Sequence, residues 1–140
     1  VLISGSSAEQ RSDVLAYLEE RDGYPHVNIG AKLSERLLDS PARKRPVQAR
    51  KKFRTLLREA EAQSETSVVG IDHLGVLFSP VLELDVFGLL RGEAVNRTLI
   101  VSWCGRIEEG DAVYAEPSHP EYCTNSVPEH AVVRVDDVGA

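Results

Sequence analysis

At 140 residues, 42% hydrophobic and 27% charged, the chain has the size and composition of one globular domain able to bury its own core. It contains no run of eighteen apolar residues, which excludes a membrane-spanning helix within it. Its two cysteines, Cys104 and Cys123, form no C-x-x-C pair and read as reduced thiols of a cytosolic protein. The net charge of −6 is uneven: Arg43, Lys44, Arg45, Arg50, Lys51, Lys52, Arg54 and Arg58 fall in one segment without an acidic residue, and this +8 leaves −14 on the remainder.

Val1 to Ile3 read as a buried strand ending in a loop at Gly5. Ser12 to Arg21 read as a helix with Val14, Leu15 and Leu18 on one face and Gly23 as its stop. His26 to Ile29 form a second short strand, and Lys32 to Leu38 a brief helix. A longer helix is expected from Pro46, a favoured first-turn residue, to Ala62. Its apolar positions Ala49, Phe53, Leu56, Leu57 and Ala60 recur at three- and four-residue spacing, which puts the basic residues on the opposite side.

Thr66 to Asp72 make an apolar strand closed by a carboxylate. Ser79-Pro80 read as the cap and first turn of a helix running through Leu82, Val86, Leu89 and Leu90. Thr98 to Trp103 are a nearly unbroken apolar strand stopped by Gly105, and Ala112–Ala115 and Ala131–Val135 are two further strand candidates. Continuous apolar runs alternating with helices predict an α/β domain, a mostly parallel sheet covered by helices on both faces.

The segment Gly5 to Ser12 aligns with the phosphate-binding pattern G-x-x-x-x-G-K-[ST] at Gly5 and Ser12, with Gln10 in place of the second glycine and Arg11 in place of the lysine. In that pattern backbone N–H groups and a helix N-terminus cradle phosphates and the hydroxyl holds Mg²⁺. Arg11 keeps the charge but not the shape of lysine. A side chain at Gln10 costs about 1–2 kcal/mol if the loop requires positive φ there. Glu9 and Asp13 add carboxylates where an anion would dock.

Val68-Val69-Gly70-Ile71-Asp72 has the form of the second, Mg²⁺-holding motif of nucleotide-binding folds. His73 follows where AAA+ ATPases place a water-activating glutamate, which disfavours efficient hydrolysis. Ser102 stands where a γ-phosphate sensor would lie, and Arg97 where an inter-subunit arginine finger would. Core polar contact and surface charge are the competing readings of these two. Cys104, His119, Cys123 and His130 match no standard zinc spacing, and Glu116 to Tyr122 read instead as a rigid turn. On the basic helix Arg50, Arg54 and Arg58 form one stripe. No aromatic interleaves with it, so a dock for an acidic protein competes with a nucleic-acid surface.

Across most of its length the chain resembles the small P-loop protein family of type 3 BREX phage-exclusion systems (BrxF). The resemblance is carried by Val27-Asn28-Ile29-Gly30 with Leu33-Ser34, Ile71-Asp72 leading to Leu77-Phe78, Leu84-Asp85, Asn96 to Leu99, Trp103-Cys104-Gly105, and Tyr114 to Pro117 with His119 to Tyr122. It implies a P-loop NTPase-like fold with an AAA+/RecA-like core, a cytoplasmic location, and other defence proteins as partners within a DNA-associated complex. Gly5, Ser12 and Asp72 are the positions onto which nucleotide contacts carry over.

The function expected from these observations is a P-loop-fold assembly or regulatory subunit of a phage-exclusion complex with weak or absent hydrolysis. Two alternatives stand beside it: an ATPase using ATP and Mg²⁺ that needs a homo-oligomer or partner, and a DNA-binding accessory module using the Arg43–Arg58 face.

Overall fold

Five short aliphatic segments align side by side in one direction, and the rest of the chain is arranged to cover them. In the computed structural model, which describes residues 1–135, these are β1 (Leu2–Ser4), β2 (His26–Asn28), β3 (Val68–Asp72), β4 (Thr98–Ser102) and β8 (Val132–Arg134), in the order β2-β3-β4-β1-β8. All four pairings are parallel, as expected of strands buried on both faces.

Alternation of side chains divides the core in two. Leu2, Val69, Ile71, Leu99 and Val101 face α2 (Ile29–Leu37), α3 (Arg45–Ala62) and α4 (Val86–Glu93) in the larger cluster. Ile3 and Ile100 face the other way, onto Leu15 and Val14 of α1 (Ala8–Asp22). The expected α/β architecture is therefore present, with α1 on one face and three helices on the other.

Four boundaries differ from the sequence reading. Helix α1 starts at Ala8, not Ser12, because the Ser7 side chain accepts the Gln10 N–H at 3.2 Å and caps it there. Its end is as read: Gly23 adopts φ 73° and returns its N–H to the Glu19 carbonyl. Helix α2 begins at Ile29, capped by the Asn28 side chain on Ala31 N–H, which shortens the strand before it. The helix expected from Ser79-Pro80 makes only a 3₁₀ turn (Pro80–Leu82). Glu83 then turns left-handed at φ 50°, and Asp85 caps the true helix α4.

The fourth difference concerns the strand expected at Ala112–Ala115. It is β6 (Asp111–Tyr114), and it leaves the parallel sheet to join β5 (Arg106–Glu108) and β7 (Cys123–Ser126) in a separate antiparallel sheet. An aromatic junction ties this small sheet to the main core. Phe78 stacks on Tyr114 at 3.9 Å between ring centroids and meets Trp103 edge-on at 5.9 Å. Trp103 is fully buried, and its indole N–H donates to the Arg106 carbonyl at 3.0 Å. Trp103 and Tyr114 both belong to the segments that carry the family resemblance, and both act here as core.

Candidate functional site

In a parallel sheet the strand carboxyl ends form the natural site, at the point where the strand order reverses. Here β1, β3 and β4 end beside one another and present Ser4, Asp72 and Ser102, while α1 returns Arg11 and Ser12 to the same place. A cleft of about 330 Å³ opens there, lined by Ala8, Arg11, Ser12, Asp72, His73 and Ser102 among others. Two segments sixty positions apart meet inside it: the Ser12 hydroxyl donates to Asp72 Oδ2 at 2.8 Å.

The same carboxylate oxygen has a second partner, which the sequence reading treated only as a strand residue. His26 Nε2 lies 2.9 Å from Asp72 Oδ2. The parallel register that sets His26 beside Gly70 and Asn28 beside Asp72 brings the ring over β3, and no spacing in the sequence announces that register. His73 adds a third group, its Nε2 3.7 Å from Asp72 Oδ2, from a left-handed backbone at φ 55°. A β-carbon-bearing residue rarely takes this conformation, and such geometry concentrates at sites.

These contacts set the charges. Burial pushes the Asp72 carboxyl up, but the hydrogen bonds from His26 and Ser12 outweigh it and hold the group below the ordinary carboxylate range. The hydrogen bond to Asp72 raises His26 above the usual histidine value against an opposing effect of burial. A histidine–carboxylate pair thus stands at the end of the strand. Asp72 Oδ1, buried, has no hydrogen-bond partner. Beside it, burial pushes the Cys104 thiol up to about 11, so it is protonated at neutral pH and is a poor nucleophile.

Arg11 occupies the cleft differently from a phosphate-binding cation. It is 7% exposed, its Nε donates to the Ser102 hydroxyl at 3.1 Å, and its Nη1 donates to the Gly5 carbonyl. The guanidinium is therefore turned inward, with two of its N–H groups held by the protein. Gln10 lies exposed within α1 in right-handed helix, so the expected positive-φ penalty does not arise. The price is the cradle itself: only Gly5, Ser6 and Ser7 separate β1 from α1, against the longer loop that the motif uses to wrap phosphates. In this arrangement Ser12 and His26 hold Asp72 and Arg11 closes on Gly5. Among the described residues Asp72 Oδ1 is the one buried side-chain oxygen without a hydrogen-bond partner.

The remaining candidates lie elsewhere. Arg97 is buried within an ion-pair network: its side chain, 5% exposed, pairs with Glu61 and, at 2.6 Å, with Glu93, which also takes Arg54 at 2.8 Å. Burial and ion pairing match the core-contact reading of this residue. Ser102 does face the cleft. Arg43, Lys44, Arg50, Lys51 and Arg58 are exposed without a carboxylate partner among the described residues, whereas the partly covered Arg45 donates to the Ser40 carbonyl and Lys52 is partly covered. His119 accepts the Glu121 N–H at 3.0 Å within the 116–122 turn. Among the described residues no three His, Cys, Asp or Glu side chains are disposed to hold a metal ion.

No family model, curated protein or solved structure matches this chain. No helix among the described residues is long and apolar enough to cross a membrane.

Proposed function

We propose that the chain is a P-loop-type domain whose nucleotide site has been filled by its own side chains, and that it works as an assembly or regulatory subunit of a phage-exclusion complex. The P-loop reading is supported by Ser12, on the helix after β1, meeting Asp72 at the end of β3 at 2.8 Å with β4 between the two strands, and by the residues that resemble the BREX family. The loss of nucleotide handling rests on one observation: Arg11, in the lysine position, is buried and bonded to Gly5 and Ser102. A guanidinium buried against a carbonyl and a hydroxyl is held by the protein, and redirecting it at a phosphate leaves those two groups without their partner.

The test is a calorimetric titration of the folded protein with ATP and Mg²⁺. The reading expects no saturable heat. Micromolar binding that disappears in Asp72→Ala overturns it and favours the second reading, a Mg²⁺-dependent ATPase, which draws support from the unpartnered Asp72 Oδ1.

A further inference from the structure

Two exposed stripes of opposite charge lie on opposite faces of the sheet. On α1, Glu9, Asp13, Tyr17 and Glu20 share one flank at spacings of four, four and three residues, opposite the buried Leu15. All four are exposed, Tyr17 at 56%, and none of the three carboxylates has a partner among the described residues. On α3, Val47, Arg50, Lys51, Arg54 and Arg58 share a flank beside the buried Phe53 row, with Val47 59% exposed. Arg54 spends its Nε on Glu93, while Arg50, Lys51 and Arg58 are unpaired among the described residues.

The two stripes run for similar lengths. From Glu9 to Glu20 and from Val47 to Arg58 the helix rises about 16 Å in each case. Each carries charges one turn apart with one exposed non-ionic side chain, Tyr17 or Val47. One chain cannot bring its own stripes together, because the sheet and its cores separate them. A second copy can.

We infer that α3 of one copy docks on α1 of the next, the basic flank against the acidic one, in a head-to-tail contact between copies of this chain. Because the two surfaces differ and lie on opposite faces, the contact is heterologous and repeats into a stack or ring instead of closing as a two-fold dimer. Single-helix flanks are smaller than the roughly 1,200–2,000 Å² of a standard stable interface. The contact is therefore weak, electrostatically steered and salt-sensitive. The exposed carboxylates Glu9, Asp13 and Glu20 offer the basic flank a complement at matching helical spacing, which favours this occupant over nucleic acid. Asp13, Glu20, Arg50 and Arg58 do not line the cleft, so the inference stands or falls apart from the nucleotide reading.

Sedimentation velocity of the whole chain tests it, at about 0.02 M and 0.5 M salt. Concentration-dependent assembly is expected at low salt and its loss at high salt. Reversal of α3 (Arg50→Glu with Arg58→Glu) or of α1 (Asp13→Lys with Glu20→Lys) weakens assembly roughly tenfold or more. Combining both reversals in one chain, or mixing the two variants, restores it, which a merely destabilised protein cannot do. Circular dichroism melts confirm that each variant is folded. A monomer at low salt, or assembly indifferent to either reversal, overturns the inference. So does loss with the α3 variant alone, accompanied by salt-sensitive binding of a labelled DNA duplex, since nucleic acid then takes the basic flank.

Discussion

His26 Nε2 and Ser12 Oγ, from different elements, contact a single oxygen, Oδ2 of Asp72, at 2.9 and 2.8 Å. A ring contributed by β2 thus stands before the carboxylate that the nucleotide-binding pattern would reserve for a cation. The site's polarity is satisfied from within, apart from Oδ1.

This pairing gives stability a defined pH window. The folded His26 value is raised above its unfolded 6.5, so its contribution is complete below that pH and is lost as pH rises through the higher folded value. The folded Asp72 value is lowered below 3.8, so its contribution holds above that pH and is lost as pH falls through the lower folded value. Urea midpoints measured from pH 3 to pH 9 are expected to sag on the alkaline side. In His26→Gln that alkaline sag is expected to vanish; an unchanged profile contradicts the pair.

Arg11→Ala strips the partners from the Ser102 hydroxyl and from the Gly5 carbonyl. Chemical denaturation is expected to show a loss of about 1–3 kcal/mol for uncovering such buried groups. Calorimetry with ATP and Mg²⁺ is expected to stay flat in this variant, as in the parent. An Arg11→Ala protein as stable as the parent contradicts the inward role.

Glu93 holds the Arg54–Arg97 network together, with its own side chain and that of Arg97 about 5% exposed or less. Glu93→Ala leaves Arg97 buried with Glu61 as its sole carboxylate, and a loss of about 3–5 kcal/mol is expected for a broken buried ion pair. Replacing Arg36, a half-covered residue whose partner Glu59 is exposed, is expected to cost far less. Comparing the two thermal melts separates the buried network from the surface pair.

Gly30 sits in the first turn of α2 where a β-carbon would stand 2.9 Å from the His73 carbonyl oxygen and 3.2 Å from the His73 β-carbon. Both opposing atoms belong to His73, whose backbone is held left-handed, so neither moves easily. Gly30→Ala is expected to destabilise by about 1–3 kcal/mol and to displace His73, visible as a changed histidine ring resonance. Preserved stability and spectrum would show that the turn has room.

The strands Val68–Asp72 and Thr98–Ser102 and the helix ending at Ala62 were legible because their apolar residues follow an unbroken or 3.6-residue pattern. The separate sheet was harder. Glu109-Gly110, at φ 49° and 85°, form the two-residue turn that pairs Glu108 with Asp111, and the Gly is its one local signal. β7, Cys-Thr-Asn-Ser, has no apolar alternation to reveal it. Within the site, Gly5, Ser12, Asp72 and Ser102 were found by motif. His26 was missed because its role depends on a strand register, and Arg11's inward turn depends on where Ser7 starts the helix.

The unequal sharing of the sheet has a consequence for how the molecule breathes. Among the described residues α1 rests on a small cluster of Ile3, Leu15 and Val135 with Val14 and Ile100, whereas α3 is embedded by Ala49, Phe53, Leu56 and Leu57 in the large one. Sub-global opening should follow that grain, with α1 amides exchanging with solvent deuterium at a lower free energy than those of α3. Since Arg11 and Ser12 ride on α1, each such excursion unlatches Ser102 and Asp72 together, and the cleft is emptied of its own side chains only while its helix is away.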